Sequence, residues 1–105
     1  TQVYPDATSI AASVRGGEIS AKSTVAAALA RIAEHNQALN CFTTVLAERA
    51  IADAEAIDQA IAAGQDPGPL AGVPFGVKDL YDIAGVTTLA GSKINADHPP
   101  AKQDA

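Results

Sequence analysis

One lysine in this chain stands where nothing beside it obviously neutralises it. Lys78 follows the mostly apolar run Leu70-Ala71-Gly72-Val73-Pro74-Phe75-Gly76-Val77 and is itself followed by Asp79. Residues 73–78 read as a strand entering a core. On a strand, successive side chains point to opposite faces. Val73, Phe75 and Val77 then share one face; Pro74, Gly76 and Lys78 share the other, with Leu80 next. Lys78 would reach into the space left by Gly76, while Asp79 points away. An ammonium taken out of water without an anion loses its proton readily. The neutral amine is then a competent general base. The residues leave a second reading open: Lys78 exposed at the strand end, or paired with Asp79 or Asp82 across a bulge.

Other side chains could do chemistry, and each has a plainer reading. His35 falls near the end of a helical stretch, where a solvated cation beside the dipole's negative end is expected rather than a ligand or base. Cys41 is the only cysteine. It is expected as a small buried apolar residue, since nothing near it in sequence would lower a thiol pKa. Glu48, Asp53, Glu55 and Asp58 cluster on one helical stretch. They do not converge with a His or with turn glycines at ligand spacing, so a solvated helix face is expected and no metal site. No cofactor is expected.

The elements that must position these groups follow from periodicity. A short helix is expected over 8–15, capped by Thr8, with Ile10, Ala11 and Val14 on one face and Gly16-Gly17 ending it. Ser20 caps a second helix to Asn36, with Val25, Leu29, Ile32 and Ala33 at helical spacing. Residues 41–46 read as a short β segment. A third helix covers 47–63, its stripe Ala50, Ala54, Ile57 and Ile61, and Gly64 closes it. Gln65 to Pro69 is a loop. After the strand at 73–78 comes a loop through Gly85-Val86-Thr87-Thr88, then a polar tail from Ile94 with Pro99-Pro100. Residues 1–7 are expected to be irregular.

Bulk composition narrows the class. The chain has 105 residues, 48% hydrophobic and 18% charged, which is not the make-up of a disordered tail. Much of the apolar share is alanine, aromatics are 4%, and Trp and Met are absent. Alanine favours helices but buries little area, so the chain is short of large side chains for an independent core. It is expected to pack on something else. The net charge is −5 and no basic patch interleaved with aromatics occurs, so direct nucleic-acid binding is not expected. No apolar stretch is long enough to span a bilayer, and no signal-peptide pattern is present. A lone cysteine fits a reducing, cytoplasmic compartment. The chain begins at Thr1 rather than Met, which points to residues removed ahead of it.

Two stretches carry a resemblance. Gly68-Pro69-Leu70-Ala71-Gly72-Val73-Pro74-Phe75-Gly76-Val77-Lys78-Asp79, followed by Asp82-Ile83-Ala84-Gly85-Val86-Thr87-Thr88-Leu89-Ala90-Gly91-Ser92, resembles the N-terminal part of the amidase signature family. Ser20-Ala21-Lys22, His35-Asn36 and Leu39-Asn40-Cys41-Phe42 resemble its N-terminal helical region, so nearly the whole chain is covered. The resemblance implies an α/β fold in which N-terminal helices precede the first strands of a large mixed sheet. Residues 1–105 would be the N-terminal part of a single such domain, helical over 1–64 and carrying the catalytic-lysine strand and loop over 70–105. It further implies hydrolysis of a small-molecule amide through a Ser–cis-Ser–Lys triad. Lys78 takes the place of the lysine that accepts a proton from the bridging serine, which activates the nucleophilic serine. Neither serine has a counterpart here, nor does the Gly/Ser-rich stretch whose backbone N–H groups hold the oxyanion. The segment alone is therefore expected to be inactive. Ser92, Thr87 and Thr88 are expected to shape a turn rather than join the triad.

Within the family, Val77-Lys78-Asp79-Leu80-Tyr81-Asp82-Ile83, with Leu89 to Asn95 and Pro99-Pro100, resembles a subgroup that includes hydrolases of s-triazine nitrogen metabolism and glutamyl-tRNA amidotransferase components. That implies a homo-oligomer or a complex with a small helical subunit. Two alternatives remain at this level. The chain could be a non-catalytic interaction module needing a complementing chain. Or Lys78 could keep its proton and anchor an anion in a binding pocket.

Overall fold

The computed structural model describes residues 4–105; residues 1–3 of the expected irregular start lie outside the described residues. Three helices and one 3-10 turn are formed: α1 (Ala7–Arg15), α2 (Ala21–Leu39), α3 (Ala47–Ala62) and the 3-10 turn Lys93–Asn95. The chain divides into two compact units, up to Pro74 and from Phe75 to Ala105.

The helical unit follows its local signals closely. Asp6, not Thr8, caps α1: its carboxylate accepts the Ser9 N–H at 2.8 Å. That hydrogen bond holds the Asp6 carboxyl below its ordinary value. An Asp one residue ahead of the first helical turn satisfies an otherwise unpaired N–H, and Thr8 falls inside the helix. Ser20 caps α2 as expected, accepting from Ser23 N–H at 3.0 Å. α2 continues past Asn36 to Leu39, because Asn40 tolerates the left-handed conformation (φ 52°) that ends a helix. α1 and α3 both end in the same paired arrangement. Glu18 and Gln65 donate to Ser13 and Ala60, while Gly17 and Gly64 donate to Val14 and Ile61.

The core of this unit is small. Val14, Ala21, Val25, Ala54 and Ala71 are buried, with Ile10, Leu29, Ala50, Ile51, Ile57 and Ile61 packed around them. The α3 stripe Ala50, Ala54, Ile57 and Ile61 faces this core as the periodicity predicts, whereas Ala33 of the α2 stripe is exposed. Alanine at the contact lets the helices approach closely. Gly72 belongs to the same contact: a Cβ there would sit 2.7 Å from Val14 Cγ2, and its φ is +76°.

Polar groups lock the two long helices together. Asp58 of α3 accepts the Ala21 N–H at 2.7 Å and the Lys22 N–H at 3.1 Å. It thus caps α2 from another helix. Lys22 Nζ lies 2.7 Å from Glu55, and that contact raises the lysine pKa from its ordinary value. The expectation of a wholly solvated acidic face is corrected here. Glu48 and Asp53 are exposed, but Glu55 and Asp58 are half-buried against α2.

The two expected strands form no sheet. Among the described residues no strand occurs, and the single pairing is an antiparallel bridge between Ile83 and Val86. A strand is stable only when its N–H and C=O groups find a neighbouring chain. Residues 41–46 instead follow the left-handed Asn40, and Asn36 takes Phe42 by both backbone groups, at 3.0 Å and 2.8 Å. Residues 73–78 have no laddering partner among the described residues. The α/β class thus reduces, for these residues, to helices and irregular chain. Cys41 is exposed rather than buried, since it lies in the turn beyond α2. His35 is exposed one turn before the helix end, 3.6 Å from Glu34.

Candidate active-site lysine and its loop

Lys78 is exposed, and from Phe75 onward the residues leading to it are also in solvent. Phe75 is 84% exposed, and Val77, Leu80 and Tyr81 are exposed as well. The neighbouring carboxylates engage the loop that follows. Asp79 accepts the Leu89 N–H at 3.1 Å, and Asp82 accepts the Thr88 hydroxyl at 2.6 Å.

These contacts fold residues 79–105 into a polar-stapled loop. The Asp79 carbonyl takes the Ala90 N–H at 2.8 Å. The Leu89 carbonyl accepts from Asn95 Nδ2 at 2.8 Å and from Ser92 N–H at 3.0 Å. The peptide groups of Leu89 are thereby held from both sides. Thr87 donates to the His98 carbonyl at 2.9 Å. Gly85 donates to Ala101 at 2.9 Å, and Ala101 donates to Val86 at 3.0 Å. The Asp104 carboxylate takes the Ala84 N–H at 2.8 Å, and Ala105 donates to the Asp82 carbonyl at 2.9 Å.

One non-glycine residue of this loop is held in the left-handed region. Ala90 adopts φ 50° and Gly91 φ 71°. For a non-glycine residue that conformation costs about 1–3 kcal/mol and persists where surrounding contacts over-determine it. Here the contacts are the Asp79 carbonyl on Ala90 N–H and the bonds on either side of Leu89. Ser92 sits at the turn, its hydroxyl accepting from Ile94 N–H at 3.4 Å. Ser92 thus takes part in a turn as expected, whereas Thr87 and Thr88 bond to His98 and Asp82 further along the chain. The sequence reading missed that Asp79 and Asn95 are the residues on which the loop closes. The Asp beside the lysine, ten residues from its hydrogen-bond partner, was the available signal.

Among the described residues no group of three or more His, Cys, Asp or Glu side chains gathers as a metal set. No helix among them is long and apolar enough to cross a membrane.

The Amidase family profile matches residues 23–105, which include Lys78 and its loop. This chain belongs to the amidase family. It is 50% identical over 92 residues to a 1-carboxybiuret hydrolase subunit of Pseudomonas sp. (strain ADP), an alignment covering 88% of this chain and 20% of that protein. It is 47% identical over 87 residues to a glutamyl-tRNA(Gln) amidotransferase subunit of Synechococcus sp. (strain RCC307), covering 83% and 18%. Among solved structures, a chain from a vestigial protein complex described as revealing the origins of an s-triazine catabolic enzyme superposes with a TM-score of 0.93. It does so at 46% identity, over 96% of this chain and 22% of its own. The inhibitor-bound form of that complex superposes equally well. The chain spans about one fifth of the length of these relatives.

Proposed function

We propose that this segment supplies the base of an amide hydrolase, and that Lys78 is that base. The observation that carries the reading is Lys78 itself, inside the family match, on an apolar stretch left uncovered while both neighbouring acids are engaged with the loop. In this reading residues 73–78 join a mixed sheet in the complete enzyme, which removes Lys78 from water and frees its lone pair. The amine takes a proton from a bridging serine, which takes one from the nucleophilic serine. That serine attacks the amide carbonyl, the C–N bond breaks, the amine leaves with the proton, and water releases the acyl group.

The substrate we favour is 1-carboxybiuret, on the strength of the 50% identical Pseudomonas relative. The amidotransferase relatives leave a role in a glutamyl-tRNA(Gln) amidotransferase as the competing reading, and hydrolysis of 1-carboxybiuret by the complete enzyme, followed by ammonia release, distinguishes the two. We place the enzyme in the cytoplasm, acting in nitrogen metabolism as a homo-oligomer or with a small helical subunit. The vestigial complex in which a relative was solved supports such a partner.

The deciding experiment is Lys78→Ala in the complete enzyme. Loss of a general base lowers turnover by about 10²–10⁴-fold, with the unfolding midpoint unchanged. A folded variant that keeps most of its activity rejects the role. A second reading draws on the self-contained core of the helical unit. In it the segment is a non-catalytic module that docks on another chain, and full activity of a complex reconstituted with Lys78→Ala would favour it.

A further inference from the structure

We infer that Asp79 is a positioning residue for Lys78, acting through the loop at 87–92; the inference rests on the reading of Lys78 as the base. Two bonds leave Asp79 in the same direction. Its carboxylate accepts the Leu89 N–H at 3.1 Å, and its carbonyl accepts the Ala90 N–H at 2.8 Å. The peptide bond between Lys78 and Asp79 is therefore fixed on its C-terminal side by a segment ten and eleven residues further along. That segment is itself fixed. Asn95 and Ser92 hold the Leu89 carbonyl, Thr88 is bonded to Asp82, and Ala90 is kept at a positive φ that it would leave if released. The Lys78 carbonyl also accepts the Tyr81 N–H at 3.1 Å, which closes the turn immediately after the lysine.

A lysine side chain has four rotatable bonds, and the set of positions they give the amine is centred on the direction in which its Cα–Cβ bond leaves the backbone. Backbone clamped on one side gives the amine a narrower range of positions. Accepting the Leu89 N–H is one role of the Asp79 carboxylate, and that role does not require charge. Asparagine has an oxygen at the same distance from the backbone; glutamate carries its oxygens one methylene further out.

The test is made in the complete enzyme with Asp79→Ala, Asp79→Asn and Asp79→Glu beside Lys78→Ala. In Asp79→Ala, kcat is expected to fall about 10- to 100-fold, as for an angstrom-scale misplacement of a reacting group, with KM changed less than about twofold. Asp79→Asn is expected to recover most of the lost kcat. If Asp79→Ala does not fold, the ranking Asn above Glu in kcat carries the same information. Equal kcat in Asp79→Ala and wild type, or Asn no better than Glu, overturns the positioning role while Lys78→Ala remains inactive. An active Lys78→Ala variant overturns the base reading instead, so the two failures are separable.

Discussion

The two units of this chain are stabilised by opposite means. Up to Pro74, three helices close on a core of Val14, Ala21, Val25, Ala54 and Ala71. From Phe75 onward no residue is buried, and Phe75, Val77, Leu80, Tyr81 and Ile94 stand in solvent. The second unit keeps its shape through hydrogen bonds: Asp79 on Leu89, Asp82 on Thr88, Asn95 on Leu89 and Asp104 on Ala84. Apolar burial is the main driving force of folding, and hydrogen bonds that are exposed or only part-buried, as these are, add little net stability because water competes for the same groups. The first unit therefore carries the stability of this segment. The second has a defined shape with its apolar side chains left available. That division suits a protein in which the lysine must be presented to groups supplied elsewhere.

The largest effect expected from breaking the comparison lies at Gly72. Its φ of +76° disfavours any side chain, and a Cβ would lie 2.7 Å from Val14 Cγ2, the most deeply placed large side chain of the core. Left-handed strain of about 1–2 kcal/mol and overpacking of about 1–3 kcal/mol both act. Gly72→Ala should therefore destabilise the helical unit by about 2–5 kcal/mol, read from urea unfolding followed by helix ellipticity. A loss under about 0.5 kcal/mol, the range of neutral surface changes, would mean that the core does not close on Gly72.

Next in size is the cap that joins α3 to α2. Asp58→Ala frees the N–H groups of Ala21 and Lys22 at the start of α2. Loss of an N-terminal cap costs about 1 kcal/mol, and the same unfolding measurement should show it. The Lys22–Glu55 pair beside it is exposed enough to contribute less. An unchanged midpoint in Asp58→Ala would show that Ser20 alone suffices to hold that helix end.

Most of the helical unit was legible in the sequence, and the exceptions share a cause. Val14, Val25, Ala54 and Ile57 announce their faces by period, and Ser20, Gly17 and Gly64 announce the ends, because these signals act within a few residues. Asp58 capping α2 spans 37 residues and could not be read locally. Cys41 was expected inside because free cysteine usually is, but the left-handed Asn40 turns the chain outward there. The strands at 41–46 and 73–78 failed for a different reason. Period-2 patterning records which side chains a strand will bury once it has neighbours; it does not supply the neighbours. Lys78 draws attention by its isolation among apolar residues, and the motif around it carries the family. The closing of the loop on Asp79 is not legible locally, because its acceptor role for the Leu89 N–H spans ten residues.

The smallest effect expected in the 105-residue chain sharpens the comparison most. Phe75 is the most exposed large side chain of the second unit, at 84%. Removing its ring uncovers no core here, so Phe75→Ala should change the stability of the 105-residue chain by less than about 0.5 kcal/mol and leave hydrogen exchange at the Leu89 and Ala90 amides unaltered. In the complete enzyme the outcome should differ. A phenylalanine packed inside a sheet-based core costs about 3–5 kcal/mol when cut to alanine, and the proposed strand at 73–78 puts Phe75 in such a place. Near-zero cost in the segment and several kcal/mol in the complete protein would show that the exposed face is a buried face awaiting its cover. Equal, small costs in both would mean that Phe75 stays in solvent, and the sheet reading of residues 73–78 would fall with it. A large cost in the segment alone would show that the second unit has an apolar core of its own, and the contrast between the two units would disappear.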